Sequence, residues 1–134
     1  MKNTEITKVY ARQILDSLAF YFPETFKRED EFRFEKEAVA SVLRDYLKNY
    51  DHSLDNAGWF EMIKNIAAAN GFAPEMNEYK ENPEAYKGSV ADVAEIIRVA
   101  VTGKRNSPDL WTIQQIIGEN QTLARVEEIL EKMD

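Results

Sequence analysis

Ser89-Val90-Ala91-Asp92-Val93-Ala94-Glu95-Ile96-Ile97-Arg98-Val99-Ala100-Val101-Thr102-Gly103 decides how this chain is read. Val93, Ile96, Ile97, Ala100 and Val101 recur at three- and four-residue intervals, which places them on one helix face and leaves no β alternation to compete. Ser89 and Asp92 stand at capping-box spacing, with Asp where Glu or Gln is usual, and Gly103 supplies the left-handed stop. Downstream, Ser107-Pro108 reads as a hydroxyl cap followed by proline at the first helical position, with Leu110, Trp111, Ile113, Ile116 and Ile117 following before Gly118. A last helix from about 121 to 133 turns Leu123, Val126, Ile129, Leu130 and Met133 inward, and Arg125, Glu127, Glu128, Glu131 and Lys132 outward.

Upstream, residues 72–88 hold Pro74 and Pro83 without a sustained period, and so read as a connecting loop with one short helical turn. Before it, Asp55 or Asn56 caps a helix carrying Trp59, Met62, Ile63, Ile66, Ala67 and Asn70 on one face and ending at Gly71. Phe34, Val39, Val42, Leu43, Tyr46, Leu47 and Tyr50 mark another, and Ile6, Tyr10, Ile14, Leu18 and Phe22 a first one over about 4–22, closed by Pro23. The expected fold is an all-α bundle of about six helices. The expected organisation is a helical subdomain over 1–71, the 72–88 connection and a second packed subdomain over 89–134, with Trp59 buried.

Composition limits what such a bundle does. In 134 residues, 17 Lys and Arg stand against 24 Asp and Glu, a net charge of −7, with no Cys and one His. Disulfides, thiolate zinc sites, cysteine nucleophiles and two-histidine mechanisms are excluded. The N-terminus lacks a signal-peptide core and no apolar run reaches the roughly 18–20 residues of a membrane span, so a cytoplasmic protein without a membrane partner is expected. No P-loop, Gly-x-Gly-x-x-Gly or Gly-x-Ser-x-Gly occurs. His52 reads as a solvated helix-terminal residue, and Glu127, Glu128 and Glu131 as a solvated face.

The acidic total opposes nonspecific binding to polyanions, but within a Debye length of about 8–10 Å local charge governs. Between residues 80 and 105, Lys80, Lys87, Arg98, Lys104 and Arg105 outnumber Glu81, Glu84, Asp92 and Glu95. Arg98 steps off the apolar face near a helix end, Lys104 and Arg105 follow in the loop, and the next helix offers free N–H groups beginning at Ser107-Pro108. Together these make a candidate anion site. The alternative is an ordinary helix–helix turn with Arg98 in a surface ion pair to Glu95 or Asp92.

Ile97-Arg98-Val99-Ala100-Val101-Thr102-Gly103, then Ser107-Pro108-Asp109-Leu110, then Ile117-Gly118 and Leu123-Ala124-Arg125 resemble, in order and spacing, the end of bacterial glutamyl-tRNA synthetases. In that class I family the C-terminal anticodon-binding region carries Leu-Arg-x-Ala-Leu-Thr-Gly, Ser/Thr-Pro-x-Leu and Leu-Gly-x-x-x-x-Leu-x-Arg. Tyr86 through Val93 is similar to the clostridial branch. The motifs cover about residues 55–134, with only helical pattern behind residues 1–54, which by analogy are the end of the preceding helical anticodon domain.

The resemblance implies recognition of a tRNA anticodon loop reading pyrimidine-uracil-cytosine, by Arg98, Ser107, Pro108 and Leu110, with Lys104 and Arg105 on phosphates. It implies tRNA(Glu) as partner, tRNA(Gln) as a second candidate, no DNA, and a monomer. The family's His-x-Gly-His-type and Lys-Met-Ser-Lys-Ser-type signatures are missing, so no cofactor is expected in this chain. ATP and Mg2+ belong to the absent catalytic half, and the chain is expected to be an excised piece of a longer ligase rather than a stand-alone paralogue. The competing class is an acidic helical protein-interaction module without an RNA role, which fold alone does not separate from the first.

Overall fold

A computed structural model describes residues 31–133, with helices α1 (Lys36–Asn49), α2 (Asn56–Ala69), α3 (Met76–Glu81), α4 (Val90–Thr102), α5 (Leu110–Ile117) and α6 (Glu119–Met133). The helix expected over 4–22 lies outside the described residues. Its place in the count is taken by α3, within the segment read as a loop, where a 3-10 turn at Pro83–Ala85 follows. α3 buries no residue, which is why apolar spacing gave no sign of it. The described residues contain no strand. Their β feature is an isolated parallel bridge between Ala73 and Ser89.

The helix ends follow local chemistry. Asp55 caps α2, its carboxylate accepting from Gly58 N at 2.7 Å. At the start of α4 the Ser89 N–H donates to Asp92 Oδ2 at 2.8 Å, the reciprocal arm of a capping box, so the shorter Asp suffices where Glu is usual. Gly71, Gly103 and Gly118 all have positive φ, the left-handed backbone that side chains resist. Each closes a helix where the sequence placed a stop.

One apolar cluster joins the elements. It draws Leu43 and Tyr46 from α1, Trp59 and Ile63 from α2, Val93, Ile96 and Ile97 from α4, Leu110 from α5, and Val126 and Ile129 from α6, residues from both sides of the 72–88 connection. α4 lies against α1, α2 and α6. Its inner stripe is the one expected, with Ile97 and Val93 fully buried.

The two helices after it pack in registers that hydrophobicity did not give. In α5, Ile116 is 62% exposed while Gln114 is buried. The Gln114 carbonyl oxygen accepts from the buried Tyr46 hydroxyl, which itself accepts from Trp59 Nε1 at 3.0 Å, and Gln114 Nε2 donates to the Leu110 carbonyl at 3.3 Å. A glutamine with both ends satisfied enters a core at little cost, and Ile116 is displaced to the surface. In α6, Thr122, Arg125, Val126 and Ile129 face inward, at helical spacing. Leu123 is only half-buried, and Arg125, expected outward, is 5% exposed.

Candidate functional site

The joint between α4 and α5, residues 103–109, gathers the residues singled out from the sequence. Arg98, one turn before the end of α4, donates from Nε to Ser107 Oγ at 2.9 Å, and that hydroxyl donates onward to the Pro108 carbonyl at 2.8 Å. Ser107 therefore does not cap α5. Asp109 does, its carboxylate accepting from Thr112 N at 3.1 Å and Thr112 Oγ1 at 2.8 Å, so Pro108 precedes the helix instead of opening it. The physical reason is competition. A carboxylate one residue beyond the proline complements the positive helix end better than a hydroxyl already engaged by a guanidinium.

This changes the anion site expected at that helix end. The Thr112 N–H in the first turn of α5 is taken by the Asp109 carboxylate, and the positive character of the joint comes from side chains on its α4 side. Thr102, 1% exposed, ties that side together. Its hydroxyl lies 2.7 Å from the Arg98 carbonyl and 3.1 Å from the Lys104 carbonyl, and accepts from Lys104 N at 3.2 Å. Gly103, at φ +79°, then reverses the chain. Lys104 and Arg105 follow, partly exposed, with Asn106 and Pro108 exposed beside them.

The ion pair proposed as the alternative for Arg98 is not formed. Glu95 instead holds Arg33, accepting from its Nε at 2.7 Å and its Nη2 at 2.6 Å, with Asp92 at 3.8 Å from the same guanidinium. Arg98 is half-buried. Burial lowers its pKa from the usual arginine value, opposed by the Asp109 and Glu95 carboxylates, and the group remains a cation. Its terminal nitrogens make no hydrogen bond to a described residue. Leu110 is 1% exposed and packs in the core beneath the joint, so its side chain supports the turn from inside.

Elsewhere His52 is partly buried and within 2.7 Å of the Tyr50 hydroxyl through Nδ1, and its carbonyl accepts from Gln115 Nε2 at 3.2 Å, so it is a packing residue of the α1–α2 loop. Among the described residues no three His, Asp or Glu side chains cluster as metal ligands, and no helix is long and apolar enough to cross a membrane.

The family model for the anticodon binding domain matches residues 9–130. This chain belongs to the anticodon-binding domain family. The match reaches well before residue 55, where the motifs begin. Glutamate-tRNA ligases of Acetivibrio thermocellus, Sorangium cellulosum and Clostridium perfringens strain 13 are 42%, 38% and 35% identical to it, over 91%, 84% and 85% of this chain and 23%, 20% and 22% of their own. The anticodon-binding domain described here thus spans about a fifth of the length of the curated relatives it matches. No solved structure matches it.

Sequence reasoning missed three residues of this anticodon-binding domain's joint: Thr102, Asp109 and Arg125. Thr102 and Arg125 lie inside quoted family motifs. Asp109 had its own signal, an Asx at capping distance from Thr112.

Proposed function

We propose that this chain recognises the anticodon loop of tRNA(Glu), with tRNA(Gln) as the second candidate, as the C-terminal part of a longer glutamate-tRNA ligase that acts in the cytoplasm. Glutamylation, and the ATP and Mg2+ it uses, belong in this reading to the remainder of that ligase. The observation that carries the proposal is the Arg98–Ser107 hydrogen bond at 2.9 Å, which brings two separate motifs into one exposed turn. With its Nε held by Ser107, the Arg98 plane is fixed while its outer edge faces away from the bond. A planar fork of this kind stacks on, or hydrogen-bonds to, a base splayed from a single-stranded loop. Pro108 gives the turn a stiff apolar edge, Leu110 supports it from the core, and Lys104 and Arg105 approach phosphates.

These roles separate by mutation. Arg98→Ala should cost on the order of 1–3 kcal/mol against the cognate loop and little against an anticodon-substituted one. Lys104→Ala and Arg105→Ala should weaken both loops equally, because phosphate contacts carry no sequence information. With two such contacts, log affinity should fall against log salt with a shallow slope of about −1.4 to −1.8. Titrating wild type and variants with tRNA(Glu) transcripts at several salt concentrations tests this. Unchanged discrimination in folded Arg98→Ala refutes the base-reading role, and a salt-independent affinity refutes the phosphate role.

A further inference from the structure

Arg125 is the buried charged residue among the described residues, and the function above does not use it. It reaches from α6 to the end of α4, where Nη1 donates to the Val101 carbonyl at 2.8 Å, while Nη2 donates to Gln121 Oε1 at 2.7 Å. Val101 belongs to the last turn of α4, whose carbonyls have no partner within the helix. The next residue, Thr102, bonds the backbone of both Arg98 and Lys104. One guanidinium therefore fixes the carbonyl adjoining the residue on which the cationic joint is built.

Electrostatics points the same way. A helix C-terminus carries roughly half a negative charge, and here it lies directly behind the turn assigned to a polyanion. Arg125 sets a full positive charge against that end. Stability alone is a poor reason for such a residue, since apolar side chains of similar volume commonly replace buried charges at no loss.

We propose that Arg125 is a positioning residue for anticodon discrimination, holding the last turn of α4 so that Arg98 meets Ser107 in the base-reading orientation. The inference rests on the base-reading role given to Arg98 above. It is tested on the full chain with a tRNA(Glu) transcript and a second transcript substituted in the anticodon. Arg125→Gln should lower the ratio of the two affinities by about two- to thirtyfold, the range over which residues without ligand contact modulate a site. In an Arg98→Ala background it should lower that ratio no further, because no reading group is left to position.

A merely structural Arg125 would weaken both transcripts equally, or alike in both backgrounds, and either result overturns the proposal. Should Arg125→Gln fail to fold, Gln121→Ala, which removes only the Nη2 partner at the half-buried edge of α6, is expected to give a smaller loss of the same ratio. No loss there overturns the proposal instead. If Arg98→Ala alone leaves discrimination intact, the base-reading role falls and this inference with it. If Arg98→Ala abolishes discrimination while Arg125→Gln preserves it, only the inference about Arg125 falls.

Discussion

α4 and α6 lie against each other yet bury different things. α4 presents hydrocarbon along its inner face, Val93, Ile96, Ile97 and Ala100, and reserves its one buried hydroxyl, Thr102, for its last turn. α6 alternates, with Thr122 and Arg125 buried beside Val126 and Ile129. The difference is one of specification. An apolar stripe drives burial without fixing which groups meet, whereas each buried polar group on α6 has a partner: Thr122 Oγ1 donates to the Gly118 carbonyl at 2.8 Å, and Arg125 donates to Val101. α4 thus supplies cohesion, and α6 and α5 supply register.

The hardest blow to this contrast falls on the apolar side. Ile97→Ala, at a fully buried position, should cost about 2–5 kcal/mol in a denaturant titration by removing transfer energy and leaving a cavity. A smaller loss than any polar variant gives would break the division.

Tyr46→Phe sharpens it from the other side. The change leaves volume nearly unaltered but strands the Gln114 carbonyl oxygen and the Trp59 N–H, and should cost about 1–3 kcal/mol. The same network makes a prediction in pH. Burial raises the pKa of the Tyr46 phenol, despite the hydrogen bond donated by Trp59 that acts to lower it. The unfolded chain therefore releases the proton first, from pH about 10, so stability present below that pH declines as pH rises, by up to about 1.4 kcal/mol per unit for one proton. Tyr46→Phe should flatten the decline in a pH series of unfolding curves, an outcome that a purely apolar core would not give.

The smallest effect concerns the cap. Asp109→Ala should cost about 1 kcal/mol, and Ser107→Ala less, because Asp109 and not Ser107 closes α5. The reverse order would restore the serine as cap.

These contrasts also mark what the chain made legible. Gly71, Gly103 and Gly118, the Ser89–Asp92 pair and the α4 stripe were readable because each is decided by local chemistry: a positive φ, a capping distance, a single apolar period. So was the gathering of Arg98 with the Ser107 turn, since a short joint links the end of α4 to the start of α5. Gln114, Thr122 and Arg125 were not. The burial of Gln114 and Arg125 depends on partners distant in sequence, Tyr46 and Val101, that of Thr122 on the Gly118 carbonyl one turn away, and no apolar scale anticipates a polar group whose hydrogen bonds are made within the fold. The choice of Asp109 over Ser107 was hidden for a related reason, because Ser107 is drawn off by Arg98. α3 was legible only as one short helical turn within the connection, because it contributes nothing to the core.

The connection containing α3 is itself closed at its base. Lys87 N donates to the Gly71 carbonyl and Ala73 N to the Gly88 carbonyl, both at 2.9 Å. Gly88 is needed there because a Cβ would come within 2.5 Å of Asp92 Oδ2 and 3.1 Å of Phe72 Cδ1. A loop whose ends are clamped in this way is a graft point. Glu75 is tied to Lys64 of α2 at 3.1 Å, and residues 76–86 beyond it are expected to tolerate insertion, since each doubling of such a loop costs only about 0.6 kcal/mol of closure entropy.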